Sequence, residues 1–333
     1  MLSSPTVKRI GILTSGGDAP GMNAAIRGAV RTAQCIGIEC VGIRHGYAGL
    51  IRGDFLPLGE RDVKGITKLG GTMLFTARSM EFMTEEGLER ASDTCKYMGI
   101  EGLIVIGGDG TFKGARNLAK TGIKVIGIPC TIDNDIGCSS YTIGFDTACN
   151  TAIEAVDRLT DTMQSHERCS VVEVMGHRTG YLALNVGIAT GATITLIPEV
   201  KYDFERDVVG RIRTARLAGR SHFMVIVAEA MEPVHIVAEK INKATGIETR
   251  VTALGHVQRG GAPLMRDRVT ATSMGYRAVI LLASGQGGRI VAMNGDTLTD
   301  IDINEALAME KEFDMDVYKM FTSLTFLDKN ILD

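Results

Sequence analysis

The segment GLIVIGGDGTFKGARNLA, residues 102–119, joins an apolar run to a helical pattern through two glycines. Residues 102–106 form a continuous apolar run, which is typical of a central parallel strand covered by helices on both sheet faces. The pattern over residues 111–119 predicts a helix. A buried strand, a glycine turn and a helix in this order predict an α/β protein, whose ligands lie beyond the carboxyl ends of its strands.

The same alternation continues along most of the chain. Similar apolar runs predict strands at residues 8–13, 40–43, 124–128, 171–174, 193–197, 223–228 and 251–254. Helical patterns between them predict helices at residues 22–34, 147–160, 207–217 and 237–244. We therefore predict two α/β lobes, each with a mainly parallel sheet flanked by helices, and an active site in the cleft between them. The predicted lobes are residues 1–144 plus 258–308 and residues 145–257 plus 309–333.

The composition is that of a folded globular protein. With 333 residues, 45% of them hydrophobic and 23% charged, the chain has apolar material for about two domains. A formal net charge of -3 gives no general attraction to nucleic acid or to an anionic membrane. The seven cysteines include no C-x-x-C pair, which favours reduced thiols over a metal site. Residues 1–8 lack the apolar core of a signal peptide, and no apolar run reaches the roughly 20 residues of a membrane span, so we expect a cytoplasmic protein.

The segment TSGGDAPGMNAAIRG, residues 14–28, follows one predicted strand and leads into a helix. Gly16 and Gly17 allow the backbone to approach an anion at the helix N-terminus. A plain turn with a capped helix is the alternative interpretation.

The segment IGGDGT, residues 106–111, lies at a second junction of this kind. Asp109 offers an oxygen ligand suited to phosphate-bound Mg²⁺, and Thr111 can cap the helix or bind a phosphate. A capped turn with a solvated aspartate is the alternative. The segment also resembles the GGDGT motif of NAD kinases and lipid kinases, so it indicates nucleotide phosphate chemistry without identifying the acceptor.

The segment PCTIDNDI, residues 129–136, places two carboxylates just past a third strand. Either Asp133 or Asp135 can accept the proton of an attacking hydroxyl group while the other helps to place a metal ion or the base. An ordinary Asn/Asp turn is the alternative.

Five segments together resemble the bacterial-type ATP-dependent 6-phosphofructokinases. In the order and spacing of that family the chain contains TSGGDAPGMNAAIRG, IGGDGT, TIDNDI, VVEVMG (residues 171–176) and LGHVQRGG (residues 254–261). The resemblance extends from about Arg9 to at least Asn294. It implies phosphoryl transfer from MgATP to the 1-hydroxyl of fructose 6-phosphate, a glycolytic reaction, in a cytoplasmic homotetramer whose active sites share residues between subunits.

The resemblance implies that the lobe of residues 1–144 plus 258–308 binds the nucleotide. The positions matching nucleotide contacts of the family are Gly16, Gly17, Tyr47, Arg78, Asp109, Gly110, Thr111 and Gly114. Asp109 matches the Mg²⁺ position, and Arg78 would offset charge on the moving γ-phosphoryl group. Asp133 matches the general base for the 1-hydroxyl proton. Thr131 and Asp135 match positions that contact the transferring phosphate and its metal environment.

The other lobe is then implied to bind the sugar phosphate. The positions matching substrate contacts are Thr131, Asp133, Arg168, Met175, Gly176, His177, Glu229, Arg250, His256 and Arg259. In the family Arg168 and Arg250 reach into the site from a neighbouring subunit. Arginines suit a phosphate dianion because the guanidinium group can form two parallel hydrogen bonds.

Two departures from the family pattern concern the active site. The run VVEVMG is followed by His177 and then Arg178, whereas the family usually has arginine directly after it, so either side chain can supply that contact. Relatives that use pyrophosphate carry aspartate at the position of Gly110 and lysine at that of Cys130. Because a side chain at position 110 would intrude on the α-phosphate, Gly110 favours ATP as the donor.

A third departure concerns the effector site that binds ADP or phosphoenolpyruvate in many relatives. Arg27, Arg31, Arg220 and His222 match that site. Its other cations and its metal ligand are replaced here by Glu60, Thr160, Ala218 and Thr193, although Arg61 lies next to Glu60. We therefore expect weak regulation or none, because each lost charge-assisted hydrogen bond is worth about 1.5–3 kcal/mol.

Three alternatives to an ATP-dependent phosphofructokinase follow from the same residues. A pyrophosphate-dependent phosphofructokinase is the first. A NAD or lipid kinase is suggested by IGGDGT alone and has no use for LGHVQRGG. A catalytically silent, sugar-phosphate-binding regulatory subunit is the third, but such chains usually lose the base or metal residue, and Asp133, Asp109 and Arg78 are all present.

Overall fold

The computed structural model describes residues 5–326, so the first four residues and the last seven, which fall in the two predicted lobes, lie outside the described residues. The chain divides into two compact units. Unit 1 is formed within Met1–Thr147 and Arg259–Lys311, and unit 2 within Ala148–Gln258 and Glu312–Asp333. Within residues 5–326, no helix combines the length and apolar character needed to cross a membrane.

Strands and helices alternate from the beginning of the chain. The first elements are β1 (Arg9–Thr14), α1 (Met22–Cys35), β2 (Glu39–Ile43), α2 (Gly46–Arg52), β3 (Phe55–Leu58), α3 (Glu85–Tyr97), β4 (Gly102–Gly107), α4 (Asp109–Ala119) and β5 (Lys124–Pro129). The next are α5 (Phe145–His166), β6 (Cys169–Val174), α6 (Tyr181–Thr190), β7 (Ile194–Leu196), α7 (Arg211–Leu217), β8 (Phe223–Ala228), α8 (Val234–Thr245) and β9 (Thr249–Ala253). The last are α9 (Met265–Ala283), β10 (Arg289–Asn294), β11 (Thr297–Asp302), α10 (Ile303–Ala308) and α11 (Met315–Phe326).

Unit 1 contains a seven-stranded sheet in the order β11-β10-β5-β4-β1-β2-β3. The five central strands are parallel, and an antiparallel strand closes each edge. Thr14 lies opposite Ile106, and Gly107 lies opposite Pro129, so β1, β4 and β5 end side by side. The register therefore brings the three sequence motifs that follow these strands to one sheet edge.

Helices α1 and α9 of unit 1 pack backbone to backbone. A Cβ atom on Gly28 would lie 2.5 Å from the carbonyl oxygen of Thr272, and one on Gly275 would lie 2.4 Å from that of Ala25. Real side chains do not approach this closely, so the two glycines set the distance between the helices. Buried aliphatic residues such as Ile26 complete this core layer.

Unit 2 contains a four-stranded, wholly parallel sheet in the order β7-β8-β6-β9. β8 is buried along its whole length, and its core partners include Val171 and Ile212. β9 is an edge strand, with three of its five residues exposed. The α/β class and the mainly parallel sheets flanked by helices are as predicted.

The predicted elements are present with ends shifted by a few residues, with one change of type. Residues 204–210 of the predicted helix at 207–217 form a π-helical turn, and α7 begins only at Arg211. The carboxylate of Asp203 caps this turn by accepting a hydrogen bond from the Arg206 N–H group at 2.8 Å. The elements for which we made no prediction include three strands of the unit 1 sheet. β3 and β11 are its antiparallel edge strands, and β10 lies next to β11.

Candidate active site

The turn after β1 is tied to the start of α4 by direct hydrogen bonds. The Ser15 N–H group donates to the Ile106 carbonyl oxygen at 3.0 Å, and the Thr111 hydroxyl donates to the Ser15 carbonyl oxygen at 3.1 Å. Gly16 has a φ of 88°, in the region that favours glycine. A Cβ atom on Gly107 would lie 2.3 Å from the Ser15 oxygen, so this junction admits no side chain there.

The first residues of α4 face open space. A Cβ atom on Gly110 would meet no protein atom within 4 Å, and the Asp109 carboxylate is 52% exposed. Lys113, one turn later, pairs with Asp109 at 2.6 Å. An open helix N-terminus is a favourable place for phosphate groups because its N–H groups and the helix dipole attract anions.

Mg²⁺ in phosphoryl-transfer sites usually binds one or two carboxylates together with substrate phosphates and water. A single exposed carboxylate at the α4 N-terminus fits this requirement, provided that the Lys113 ammonium group moves away. Among residues 5–326 there is no cluster of three or more acidic, His or Cys side chains that could hold a metal ion without substrate. Asp109 is therefore suited to metal that arrives with a nucleotide.

Tyr47 lies behind the α4 N-terminus. Its ring stacks on that of Phe82 with centroids 3.9 Å apart, and its hydroxyl donates to the Thr111 carbonyl oxygen at 2.7 Å. A Cβ atom on Gly114 would lie 2.9 Å from both rings. The predicted nucleotide residues Tyr47, Thr111 and Gly114 thus lie together, and Phe82, for which we made no prediction, completes the group.

The loop after β5 carries the predicted base. Asp133 is buried, with 9% of its surface exposed, and its carboxylate accepts a hydrogen bond from the Thr131 hydroxyl at 3.0 Å. The same hydroxyl accepts the Asp133 N–H group at 3.2 Å. Asn134 has a φ of 51°, a left-handed conformation that asparagine adopts more readily than most residues. Asp135 follows and is half-buried.

Two predicted arginines of unit 1 lie near the β1 turn. The Arg259 guanidinium donates to the Asp18 carbonyl oxygen at 3.3 Å and occupies the space that a Cβ atom on Gly17 would need. Arg78 is exposed and follows Thr76, whose hydroxyl donates to the Gly16 carbonyl oxygen at 2.6 Å. Both cations therefore belong to segments that contact the glycine turn.

In unit 2, Arg168 and Arg250 share one carboxylate. Glu248 accepts from Arg168 at 2.8 Å and pairs with Arg250 at 2.5 Å. The parallel register of β6 and β9 brings them together, because Cys169 lies opposite Thr249. These bonds hold the pKa of Glu248 below its usual value, the Arg168 hydrogen bond contributing most. Glu248 thus keeps the exposed Arg250 beside the half-buried Arg168.

The remaining predicted substrate residues of unit 2 follow the ends of β6, β8 and β9. Glu229 follows β8, and its carboxylate accepts the His177 N–H group at 2.6 Å. Gly176 and His177 have φ values of 143° and 55°, so the chain turns sharply here. The side chains of His177, Arg178 and His256 are all exposed.

Met175 is held by a residue for which we made no prediction. The buried Gln258 side chain accepts from the Met175 N–H group at 3.3 Å and donates to the Gly255 carbonyl oxygen at 3.1 Å. It therefore joins the end of β6 to the LGHVQRGG segment. The place of Gln258 inside that motif could have indicated its importance. For Glu248, which we also did not predict, the only available signal was its position two residues before Arg250.

The predicted effector residues lie in different units. Arg27 and Arg31 line a surface pocket of unit 1 together with Glu60, Arg61 and Lys64. Glu60 forms an ion pair with Arg31, so the replacement noted in the sequence compensates one of the remaining cations. The predicted partners Arg220 and His222 lie in unit 2, in the turn before β8.

Comparison with known proteins connects these features to one family. The phosphofructokinase family profile matches residues 9–282. An ATP-dependent 6-phosphofructokinase of Clostridium tetani is 48% identical over 320 residues, which cover 96% of this chain and 100% of the relative. An enzyme of the same name from Clostridium botulinum is 48% identical over 319 residues, with the same coverage.

Solved structures show the same fold. A phosphofructokinase of Saccharomyces cerevisiae superposes with a TM-score of 0.90 and 31% identity over 97% of this chain, which spans 51% of the yeast chain. A pyrophosphate-dependent phosphofructokinase of Marinobacter aquaeolei superposes with a TM-score of 0.84 over 96% of this chain and 92% of its own. Its 18% identity supports the shared fold alone.

Proposed function

The chain belongs to the phosphofructokinase family, and on that premise we propose that it transfers the γ-phosphoryl group of ATP to the 1-hydroxyl of fructose 6-phosphate. The products are fructose 1,6-bisphosphate and ADP, as in glycolysis, and we propose the cytoplasm as the place of the reaction. The observation that carries the proposal is the meeting of the β1, β4 and β5 ends in unit 1. A glycine turn, an open helix N-terminus and the buried Asp133 lie there at adjacent positions.

The nucleotide phosphates are assigned to the space along Gly16, Gly17 and the start of α4. Backbone N–H groups of the turn and the helix would bind the phosphate oxygens, which requires the close approach that glycines permit. Tyr47 and Gly114 form the wall behind Thr111. Asp109 would hold Mg²⁺, which supplies charge compensation on the β- and γ-phosphates. Lys113 would then exchange the carboxylate for a phosphate oxygen or water.

Asp133 is assigned as the general base. Its carboxylate accepts the proton of the sugar 1-hydroxyl while the hydroxyl oxygen forms a bond to the γ-phosphorus, and the bond from that phosphorus to the bridging oxygen breaks to release ADP. The hydrogen bond from Thr131 at 3.0 Å restricts the rotation of the carboxylate before substrate binds. Asp135 flanks the base, and Arg78 would offset charge as the phosphoryl group moves.

The sugar phosphate is assigned to the cations and turn residues described above. Arg168, Arg250 and His256 of unit 2 and Arg259 of unit 1 would bind the 6-phosphate, while Met175, Gly176, His177 and Glu229 contact the sugar. We propose that Arg168 and Arg250 serve the site of a neighbouring subunit in a homotetramer. The exposure of Arg250 on the edge strand β9, beside Arg168, supports this role.

ATP rather than pyrophosphate is the proposed donor. The open space around Gly110 supports this choice, because a larger residue there would occupy the region assigned to the α-phosphate. A variant tests the argument directly: Gly110→Asp should lower turnover with ATP at least tenfold. Asn117→Asp adds the same single negative charge at an exposed position near the other end of α4 and should leave turnover unchanged.

The deciding experiment is formation of fructose 1,6-bisphosphate by the purified protein with Mg²⁺ and fructose 6-phosphate, comparing ATP with pyrophosphate. We expect turnover with ATP alone. Turnover with pyrophosphate alone would contradict the donor assignment while leaving Asp133 as the base. Absence of turnover with both donors would favour the silent regulatory subunit and overturn the proposed reaction.

A further inference from the structure

The segment Met309, Glu310 and Lys311 lies directly against the loop that carries Asp133. A Cβ atom on Gly137 would lie 2.2 Å from the Met309 carbonyl oxygen and 2.6 Å from its carbonyl carbon. Such a contact is possible only between two backbones. The end of unit 1 is therefore in contact with the loop at a position that has no room for a side chain on residue 137.

The Lys311 ammonium group makes two hydrogen bonds to this loop. It donates to the Asn134 side-chain oxygen at 3.1 Å and to the Ser139 carbonyl oxygen at 2.5 Å. The Thr142 hydroxyl lies 3.4 Å from the same Asn134 oxygen. Asn134 stands between the two carboxylates assigned to catalysis, in the left-handed conformation. Lys311 thus contacts the residue that joins Asp133 to Asp135.

The partly buried ammonium group of Lys311 carries a desolvation penalty. Desolvation lowers the pKa of Lys311 from 10.5 to about 8, although the charges of Asp135 and Cys138 act in the opposite direction. A charge-assisted hydrogen bond is worth about 1.5–3 kcal/mol, roughly twice a neutral one. Methionine has a similar length and could fill the same space without the desolvation penalty, so packing alone does not explain a lysine at this position.

We propose that Lys311 is a positioning residue for the phosphoryl-transfer reaction: its ammonium group fixes Asn134 and so sets the direction of the flanking carboxylates. The inference rests on the proposed function, because it assigns Lys311 a role in that reaction. Lys311 acts through Asn134, so it should influence the rate of the chemical step more than the binding of either substrate.

The first test compares Lys311→Met, Lys311→Arg and the wild type by steady-state kinetics. A misplacement of about 1 Å in a catalytic group can cost on the order of 10²-fold in rate. We expect Lys311→Met to lower kcat about 10- to 100-fold with KM for ATP changed less than twofold, and Lys311→Arg to recover part of the loss. Lys319→Met is the control, because Lys319 is exposed and pairs with Asp316 in unit 2.

A double-mutant cycle distinguishes positioning from general destabilisation. If Lys311 acts through Asn134, then Lys311→Met combined with Asn134→Ala should lower kcat no further than the more severe single variant. A purely structural lysine would instead lower the melting temperature and leave kcat per folded molecule unchanged. If Lys311→Met fails to fold, the decision rests on Lys311→Arg and Asn134→Ala.

The outcomes separate this inference from the function on which it depends. A wild-type protein without phosphofructokinase activity would overturn both. An active wild type would overturn the positioning role alone if kcat of Lys311→Met is within twofold of normal. Losses of kcat that multiply in the double variant would have the same consequence.

Discussion

The strand ends of unit 1 and the edge strand β9 of unit 2 hold functional side chains in opposite ways. At the ends of β1 and β4, Ser15, Gly107 and Thr111 interlock through backbone and hydroxyl contacts that leave no room for a Cβ atom on Gly107. On β9, Arg250 is 66% exposed and is held by one carboxylate, that of Glu248. The first region is held in place by close contacts within unit 1, whereas the second exposes Arg250 to solvent.

This difference suits different tasks. Groups that stabilise a transition state act best when they are oriented in advance, because no reorganisation is then needed during the reaction. An exposed cation on an edge strand, such as Arg250, can bind an anion brought by another molecule, and Glu248 keeps it beside Arg168 until then. We therefore expect substitutions in unit 1 to affect the chemical step, and substitutions on β9 to affect affinity.

The largest expected effect is that of Asp133→Asn, which removes the proton acceptor while leaving the loop in place. We expect kcat to fall about 10²- to 10⁴-fold, the usual range for loss of a general base. ATP affinity measured by calorimetry should change less than twofold. Asp62→Asn is the control, because Asp62 is an exposed residue of the same unit that accepts the Gly59 N–H group. Near-normal turnover by Asp133→Asn would remove the base assignment.

Arg250→Ala tests the other side of the comparison. Loss of a charge-assisted contact worth about 1.5–3 kcal/mol should raise KM for fructose 6-phosphate about 10- to 100-fold. The melting temperature should hardly change, because an exposed ion pair contributes about 0–1 kcal/mol. Arg213→Ala, which breaks a similarly exposed pair with Glu205, should leave KM unchanged. An equal effect of both variants would show that β9 has no special role.

The pH dependence of kcat should show whether the charge of Lys311 in unit 1 contributes to the reaction. Because the pKa of Lys311 is about 8, its side chain is positively charged below that pH and loses the charge as the pH rises through it. We expect kcat to decline on this alkaline side and the decline to disappear in Lys311→Arg, whose guanidinium stays charged. Stability should respond with the opposite sign: between about pH 8 and pH 10.5 the unfolded state binds more protons, so the Lys311 contribution to the free energy of unfolding rises. An identical pH profile for both proteins would contradict the prediction.

The smallest expected effect concerns the exposed cations of unit 1. ADP should hardly activate the wild type at subsaturating fructose 6-phosphate, because Glu60 already pairs with Arg31. Glu60→Gln should tighten ADP binding by no more than about fivefold, the limit set by an exposed pair worth up to about 1 kcal/mol. Glu39→Gln, which breaks a pair with Arg9 of almost equal exposure, is the control. Strong activation of the wild type by ADP would show that the pocket functions despite Glu60.

The sequence predicted the ordered region better than the rest. β4 was evident because every residue from Gly102 to Gly107 is buried, and a strand covered on both faces appears as an unbroken apolar run. β11, with the sequence TLTDID, has no such run because it lies at an edge and none of its residues is fully buried. The helical spacing of apolar residues in the sequence also cannot distinguish the π-helical turn at Phe204–Gly210 from an α-helix.

The side chains around the candidate site differ in the same way. Gly16, Asp109 and Asp133 follow predicted strands, so the parallel register was enough to bring them to one edge. Lys311 lies 177 residues from Asn134 and belongs to no recognisable motif. Its contact depends on tertiary packing of a short irregular segment, which no local pattern encodes. Glu248 was overlooked because its role requires knowledge of which strands are neighbours.

The close packing of α1 against α9 has a consequence for synthesis of the chain. Ribosomes extend a chain from its N-terminus at about 5–20 residues per second, so α1 emerges early, whereas α9 and β10 follow only after all four strands of unit 2. A nascent chain must therefore carry the glycine face of α1 uncovered while it completes another sheet. Since every strand of that sheet comes from one continuous stretch, residues 169–253, we expect the sheet of unit 2 to form before the sheet of unit 1 is complete.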